Sequence, residues 1–267
     1  MKKTTIAFLA AAFIFASCND GFKPFTFVQM TDTQIGFMDG SDGYAHSDSL
    51  LRAAVEGVNA LQPAFVVVTG DLVDDVDDSK QNEIFEAGMA ALEEPYYLIP
   101  GNHDYRKAWT PEIRDAYVAS RGYERFSFKL NGCAFIGLDT NCIKEDATEA
   151  EDEQMAWLKG ELSKAGKSRY IFVFIHCPIF RNDIDEVEDY SNFPKPKRLE
   201  YLSLFKETGV DAVFAGHTHE DYDTEYEGIR LVVANPVCNP LGHGHPGYNV
   251  IRVTKDGFTV ETVSTVD

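Results

Sequence analysis

Short apolar segments alternate with amphipathic segments through the first two thirds of the chain. Residues 65–68 and 170–175 are apolar throughout, which is typical of strands buried on both faces, and residues 25–30 alternate in the manner of a strand. Residues 96–99 and 211–215 are apolar segments of the same kind. The pattern therefore predicts five strands, separated by stretches long enough for helices.

Helices are predicted in these intervening stretches, where apolar residues recur three and four positions apart. The predicted helices run from Ser47 or Ser49 as N-cap to the residue before Pro63, over 81–92, from Thr110 to Gly122, over 154–165 and over 198–207. The acidic residues 145–153 are expected to form a solvated loop and helix start, and the basic run 195–198 is expected to be plain surface.

Hairpin signals replace the helices in the last part of the chain. Glu227-Gly228 and Asp256-Gly257 are turn pairs, and Asn131-Gly132 marks an earlier hairpin between residues 126–130 and 134–136. Strands joined first by helices and then by hairpins predict an α/β fold, in which helices cover mixed sheets.

The composition fits one folded domain and argues against two classes of partner. The 267 residues are 44% hydrophobic, and the formal net charge is -19. Because phosphate recognition normally relies on Lys and Arg, so acidic a chain is poorly suited to nucleic acid or anionic lipid headgroups. An anionic substrate would need another source of attraction, and a bound metal ion would supply one.

The N-terminus has the layout of an export signal. Lys2 and Lys3 precede an apolar stretch, residues 6–16, that is too short to span a membrane. It leads into Ser17-Cys18, and residues 15–18 resemble the bacterial lipoprotein signal, whose Cys becomes the lipidated first residue. An ordinary signal peptide with an incidental Cys18 is the alternative.

Export with lipidation implies a division of the chain and a location. We expect residues 1–18 to be the signal ending at lipidated Cys18, residues 19–22 to be a tether, and residues 23–267 to be the domain. The protein would then be anchored without spanning the bilayer, at the periplasmic or outer-membrane face of a bacterial cell envelope.

The other four cysteines do not form a dense disulfide framework. Cys133, Cys142, Cys177 and Cys238 contain no C-x-x-C pair, so mostly buried free thiols are expected.

All five predicted strands lead directly into polar residues of the kinds that bind metal ions. Carboxylate, imidazole and amide groups without thiolates are typical ligands of Mn, Fe, Zn or Mg ions. Because ligands of open α/β sheets bind beyond the carboxyl ends of strands, one common site is expected. The strand-end residues are Asp32, Gln34, Asp71, Asn102, His103, His176, His217 and His219.

In this order the strand-end residues resemble the motif set of the calcineurin-like metallophosphoesterases. The matching motifs are Asp32-x-Gln34, Gly70-Asp71-x-x-Asp74, Gly101-Asn102-His103-Asp104, His176 and Gly216-His217-x-His219. Residues 32–37 and 176–180, with the acidic loop that follows, further resemble the branch of CSTP-type Ser/Thr phosphatases. The resemblance implies a four-layer αββα sandwich of the metallo-dependent phosphatase type, with two divalent metal ions.

The resemblance also implies a role for each matching residue. The first ion would be held by Asp32, Gln34, Asp71 and His219, and the second by Asp71, Asn102, His176 and His217. A hydroxide bridging the ions would attack phosphorus in line. His103 would protonate the leaving oxygen, with Asp104 favouring its charged form, and Asp74 would belong to the turn or to a supporting position.

Gln34 departs from the Asp-x-His pattern that is usual in the family. A neutral amide oxygen is usually a poorer ligand than imidazole, so Mn or Mg is favoured at the first site.

Residues outside the motifs carry weaker expectations. His46, His243 and His245 are expected at the surface, and Cys177 is expected to pack in the interior. The loop 241–247 could line the pocket, because its glycines and proline impose a special backbone path.

The function favoured by these observations is a phosphomonoesterase acting on a phosphoprotein or a small phosphate ester. One alternative is a phosphodiesterase for nucleotide-type or lipid-derived substrates. The other is a non-catalytic surface lipoprotein that binds a metal ion or a ligand, which two ions per chain together with turnover would exclude.

Overall fold

The computed structural model describes residues 21–39, 43–242 and 244–266. The predicted signal, with Cys18, lies outside the described residues, as do the first two residues of the tether and His243. Within the described ranges, no helix combines the length and apolar character needed to cross a membrane.

The described chain contains eleven strands and six helices. The strands are β1 (Phe25–Met30), β2 (Val66–Val68), β3 (Tyr96–Leu98), β4 (Phe126–Leu130), β5 (Cys133–Gly137), β6 (Ile171–Phe174), β7 (Ala212–Ala215), β8 (Tyr222–Tyr226), β9 (Ile229–Val233), β10 (Gly247–Thr254) and β11 (Gly257–Ser264). The helices are α1 (Ala45–Leu61), α2 (Ser79–Met89), α3 (Pro111–Arg121), α4 (Asn141–Lys144), α5 (Thr148–Ala165) and α6 (Lys195–Thr208), with a 3-10 turn at His103–Tyr105.

The strands form two mixed sheets. The first has the order β11-β10-β1-β2-β3, in which β1, β2 and β3 are parallel and β10 is antiparallel to its neighbours. The second has the order β4-β5-β6-β7-β9-β8, with β5, β6, β7 and β9 parallel. The predicted α/β class with mixed sheets is confirmed.

The two sheets pack face to face around an aromatic core. Phe27 of β1 stacks on Phe65 with ring centroids 5.1 Å apart, and it meets Phe135 and Phe214 of the second sheet edge-on. The outer face of the first sheet packs on apolar residues of α1 and α2, and that of the second on α5 and α6. Burial on both faces of both sheets gives the four layers αββα that the resemblance implies.

Two of the turn predictions are confirmed, and the third is one residue out. Asn131-Gly132 and Glu227-Gly228 have positive φ at both central positions, as a tight two-residue hairpin turn requires. In the last hairpin Gly257 already pairs with Thr254, so the turn is centred on residues 255 and 256.

The predicted start of α3 is confirmed, because Thr110 caps it and Pro111 is its first residue, but other helix starts were less accurate. Helix α1 begins at Ala45 without a side-chain cap; the Ser47 hydroxyl instead donates to Asp39 (2.5 Å) and accepts from the Gly36 N–H (3.0 Å). Helix α6 begins at Lys195, which is exposed as expected, whereas Arg198 at the end of the basic run is not on the surface. Arg198 is buried, and its guanidinium donates to three backbone carbonyls.

The four cysteines among the described residues are free and buried, as expected. Cys177 packs with apolar side chains under the second sheet, in agreement with its predicted structural role.

Candidate metal centre and active site

The predicted site lies where parallel strands of both sheets end. The segments that follow the strands are joined by backbone hydrogen bonds: Asp32 donates to Gly70 (3.0 Å), and Gln34 donates to Asp71 (2.9 Å). Across the sheets, the main chain of His217 donates to the Asp32 carboxylate (2.9 Å). The carboxyl ends of β1, β2, β3, β6 and β7 therefore meet at one place, as the sequence predicted.

Five of the predicted ligands have left-handed backbone conformations. Their φ values are 50° at Asp32, 31° at Gln34, 50° at Asp71, 73° at His217 and 55° at His219. Positive φ is uncommon for residues other than glycine and is concentrated at functional sites. This conformation ends each strand sharply and lets the side chains converge.

Two glycines allow the ligand segments to approach one another. A Cβ at Gly216 would lie 1.8 Å from the Thr31 hydroxyl oxygen and 2.6 Å from Asp32 Oδ2. A Cβ at Gly101 would lie 2.1 Å from Asp71 Oδ1. The motif glycines are thus required by close packing against the carboxylates.

One group of acceptor atoms surrounds His176 Nε2. It lies 3.3 Å from Asp71 Oδ2, 3.2 Å from Asn102 Oδ1 and 3.2 Å from His217 Nδ1. His176 Nδ1 contacts the Thr69 carbonyl (2.7 Å), and His217 Nε2 contacts the Tyr190 carbonyl (3.0 Å). When each neutral imidazole donates its N–H to that carbonyl, only lone pairs face the centre, which is the environment of a cation.

A second group of ligand atoms, at Asp32 and His219, is arranged in the same way. His219 Nδ1 contacts the Asn239 carbonyl (3.0 Å), so Nε2 can turn its lone pair toward Asp32 Oδ1, 3.4 Å away. Asp32 Oδ1 is buried and has no hydrogen-bond partner. Gln34 donates its amide N–H to Asp74 (3.2 Å), which leaves its carbonyl oxygen to act as a ligand. The described residues therefore include one set of three ligand atoms close enough to hold a divalent ion, at Asp71, His176 and His217, and the second group offers Asp32 and His219 beside it.

The pKa values of the buried groups are strongly affected by their charged neighbours. Burial lowers the pKa of His176, but the charge of Asp71 outweighs burial and raises it to about 9. Burial and the neighbouring His176 lower the pKa of His217 to about 4. Burial acts to raise the pKa of Asp32, yet its hydrogen bond to His219 brings it below the ordinary value.

His103 is held beside this centre by a carboxylate other than the predicted one. Its backbone N–H donates to Asp71 (2.9 Å), and its Nδ1 donates to the Asp74 carbonyl (2.7 Å) and lies 3.2 Å from Asp74 Oδ1. Burial lowers the pKa of His103, but Asp74 and Asp71 together raise it above its ordinary value. The two carboxylates therefore stabilise the charged form of the His103 imidazole relative to a free histidine.

Asp104 does not serve as the partner of His103 that the resemblance suggested. Its two carboxylate oxygens accept the backbone N–H groups of Leu72 (3.0 Å) and Gly101 (2.8 Å). The tight 3-10 turn directs this side chain back to its own start, and burial with the nearby Asp71 raises its pKa to about 7. Asp104 ties the motif loop to the loop after β2, and Asp74 takes the place beside His103.

Sequence reasoning missed two supporting residues. Tyr190 accepts the Asn102 amide N–H through its hydroxyl (2.6 Å), and its ring centroid lies 4.7 Å from that of His217. The only signal for it was the position of its loop after β6. Asn239, which holds His219, follows β9, and this strand is parallel to β7 and so ends at the same edge.

A cavity of about 520 Å³ opens onto the centre. Its lining includes Gln34, Asp71, His103, His217 and His219, whereas Asp32 and His176 are buried below. Leu241 also lines it, as predicted for its loop, and His46 and His245 are exposed as expected. All eight strand-end residues are thus brought together, while their individual roles as ligands or acid stay predictions.

Comparison with known proteins agrees with this geometry. The sequence model of the calcineurin-like phosphoesterase family matches residues 25–221. The chain belongs to this family. It is 32% identical over 258 residues to the serine/threonine-protein phosphatase CPPED1 of Bos taurus, covering 88% of this chain and 82% of that protein. The CPPED1 of Danio rerio is 30% identical over 256 residues, with 88% and 83% covered.

The fold is shared with solved phosphatase structures. A dimetal phosphatase from Danio rerio superposes with a TM-score of 0.68 at 16% identity, covering 92% of this chain and 98% of the other. This calcineurin-like phosphoesterase is therefore a metal-dependent hydrolase of phosphate esters, and its family implies two divalent ions.

Proposed function

We propose that this calcineurin-like phosphoesterase is a phosphomonoesterase whose second ion is bound by Asp71, Asn102, His176 and His217, and whose first ion is bound by Asp32, Gln34, Asp71 and His219. The observation that supports the proposal is the cluster of ligand atoms of Asp71, His176 and His217, next to the Asp32–His219 pair and to His103, whose main chain donates to Asp71. The ions, when bound, would lower the pKa of a water molecule and neutralise charge on the phosphoryl oxygens.

In this proposal, groups of the protein position the metal ligands and protonate the leaving oxygen. Thr69, Tyr190 and Asn239 fix the three ligand histidines through backbone carbonyls, so that little reorganisation is needed during reaction. His103 lines the cavity beside Asp74, which raises the pKa of its imidazole, so it is the group that would give a proton to the leaving ester oxygen.

The leaving group makes the acid role testable. Purified residues 19–267 are assayed with Mn, Mg, Zn or Fe ions against an alkyl phosphate, an aryl phosphate, a phosphoserine peptide and a phosphodiester. We expect monoester turnover that a chelator abolishes. His103→Ala should lower kcat by about 10²-fold to 10⁴-fold on the alkyl ester. The loss should be smaller on the aryl ester, whose phenolate needs less protonation.

The metal content separates the acid role from a ligand role. His103→Ala should retain two ions per chain by elemental analysis, and the exposed His245→Ala is the matched control with unchanged rate. Equal loss on both esters would contradict the acid assignment, and preferred hydrolysis of the diester would contradict the monoester assignment.

A further inference from the structure

Exposed apolar side chains are concentrated at the mouth of the catalytic cavity. Among the described residues, eight large apolar side chains are exposed, and three of them line this one cavity. They are Met38 (67% exposed), Tyr190 (60%) and Leu241 (62%). Phe37 joins them and packs its ring on that of His219, with centroids 4.7 Å apart. We call Phe37, Met38, Tyr190 and Leu241 the apolar rim.

The rim has little positive charge to attract a second anionic group. Among the described residues that line the cavity, Lys107 is the one basic residue other than histidine, and Asp71 and Asp74 are also present. The neighbouring surface adds Asp75, while Asp77 there is paired with Arg106, and the whole chain has a net charge of -19. Apart from the predicted metal ions, which would bind the reacting phosphoryl group, a substrate with further phosphates or carboxylates would find only Lys107 as a positive partner in the described lining.

We propose that the substrates are phosphomonoesters of uncharged, apolar alcohols, with the organic part lying on the apolar rim. This inference rests on the proposed phosphomonoesterase function. With the phosphoryl group at the predicted metal ligands and the ester oxygen near His103, the alcohol must leave through the mouth. There it covers apolar surface that is otherwise exposed to water, which is favourable in proportion to the area buried.

A series of straight-chain alkyl phosphates tests the proposal without changing the chemistry of the leaving group. From methyl to hexyl phosphate, the leaving alcohols have similar basicity, so differences in kcat/KM report contacts of the chain. We expect kcat/KM to rise about twofold per methylene, against a limit of roughly fourfold for a fully buried methylene. A kcat/KM that does not change with chain length would contradict binding at the apolar rim while leaving the proposed phosphatase function intact.

Rim variants and a matched control locate the effect. Met38→Ser and Leu241→Ser should each reduce the slope of log kcat/KM against chain length, and the double variant should nearly abolish it. Leu199→Ser replaces a side chain that is 55% exposed on α6, away from the cavity, and should keep both slope and rate. An unchanged slope in the double variant would overturn the proposal.

Binding of alkylphosphonates separates this inference from the proposed function, because these compounds are not hydrolysed. Calorimetry on the metal-loaded protein should give a Kd that falls about twofold per methylene, and the fall should be lost in the double variant. A Kd that falls with chain length, without turnover of any ester, would support binding at the apolar rim and contradict the proposed phosphatase function. Turnover with a Kd and a kcat/KM that do not change with chain length would support the phosphatase function and contradict binding at the apolar rim.

Discussion

Tyr190 contacts two predicted ligands of the second ion through different atoms. Its hydroxyl accepts the Asn102 amide N–H and so turns the Asn102 carbonyl oxygen toward His176. Its backbone carbonyl meets His217 Nε2, which leaves Nδ1 for the centre. Because only the first contact depends on the side chain, a substitution can remove it and keep the second.

Tyr190→Phe should therefore weaken binding of the second ion by about tenfold, the lower end of the effect of residues that orient metal ligands. Water can replace the hydroxyl in part, because the Tyr190 side chain is largely exposed. Titration of the metal-free protein with Mn²⁺ by calorimetry measures the effect. Tyr96→Phe, at the opposite end of β3, is the control, and equal affinities in all three proteins would contradict the orienting role.

Asp139 is a buried carboxylate that opposes stability at neutral pH. It accepts the backbone and side-chain N–H groups of Asn141 (2.8 and 2.9 Å), yet burial raises its pKa from 3.8 to about 6. Since the pKa is higher in the folded chain, its stabilising contribution is fully present below pH 3.8 and is lost as the pH rises through about 6.

Asp139→Asn should raise the free energy of unfolding at pH 8 by up to about 3 kcal/mol, because Asn keeps an acceptor oxygen and is never charged. The advantage should shrink at pH 5, where Asp139 is largely protonated when folded. Urea unfolding at the two pH values measures it. Glu83→Gln, an exposed position on α2, serves as control. An advantage of equal size at both pH values would speak against this account.

At the scale of the elements, the strand ends are held together by close contacts that a methyl group would break. Gly216→Ala places a Cβ against Thr31 and Asp32, whereas a Cβ at Gly160 in α5 meets no atom within 4 Å. We expect Gly216→Ala to cost at least about 2 kcal/mol of unfolding free energy and to weaken the first metal site. Gly160→Ala should gain about 0.5–1 kcal/mol. Thermal unfolding and metal titration of the pair test this, and a harmless Gly216→Ala would refute the packing argument.

The same elements show what the sequence could and could not predict. Strand ends and hairpin turns were predictable, because a buried apolar run and a two-residue turn are local properties of the chain. The role of Ser47, the burial of Arg198 and the partner of His103 were not. Each depends on a segment distant in sequence or on a turn whose direction the residue types do not fix. Asp74 and Asp104 are both motif carboxylates, and only the folded path decides which one faces His103.

At the scale of the molecule, net charge and anchoring are linked. Because a charge of -19 disfavours binding to anionic membrane surfaces, we predict that attachment to the envelope would depend on acyl chains on Cys18. Attachment of this kind resists salt, because salt screens charges and leaves apolar burial intact.

Cells fed a labelled fatty acid should therefore yield a labelled protein in the membrane fraction. Washing with 1 M salt should not release it, although the screening length is then only about 3 Å. Cys18→Ser should lose the label, and Cys133→Ser, which changes a buried free thiol, should keep it. An unlabelled wild-type protein in the soluble exported fraction would instead favour an ordinary signal peptide. Release of the wild-type protein by salt would mean that its attachment is electrostatic, against the sign of its own charge.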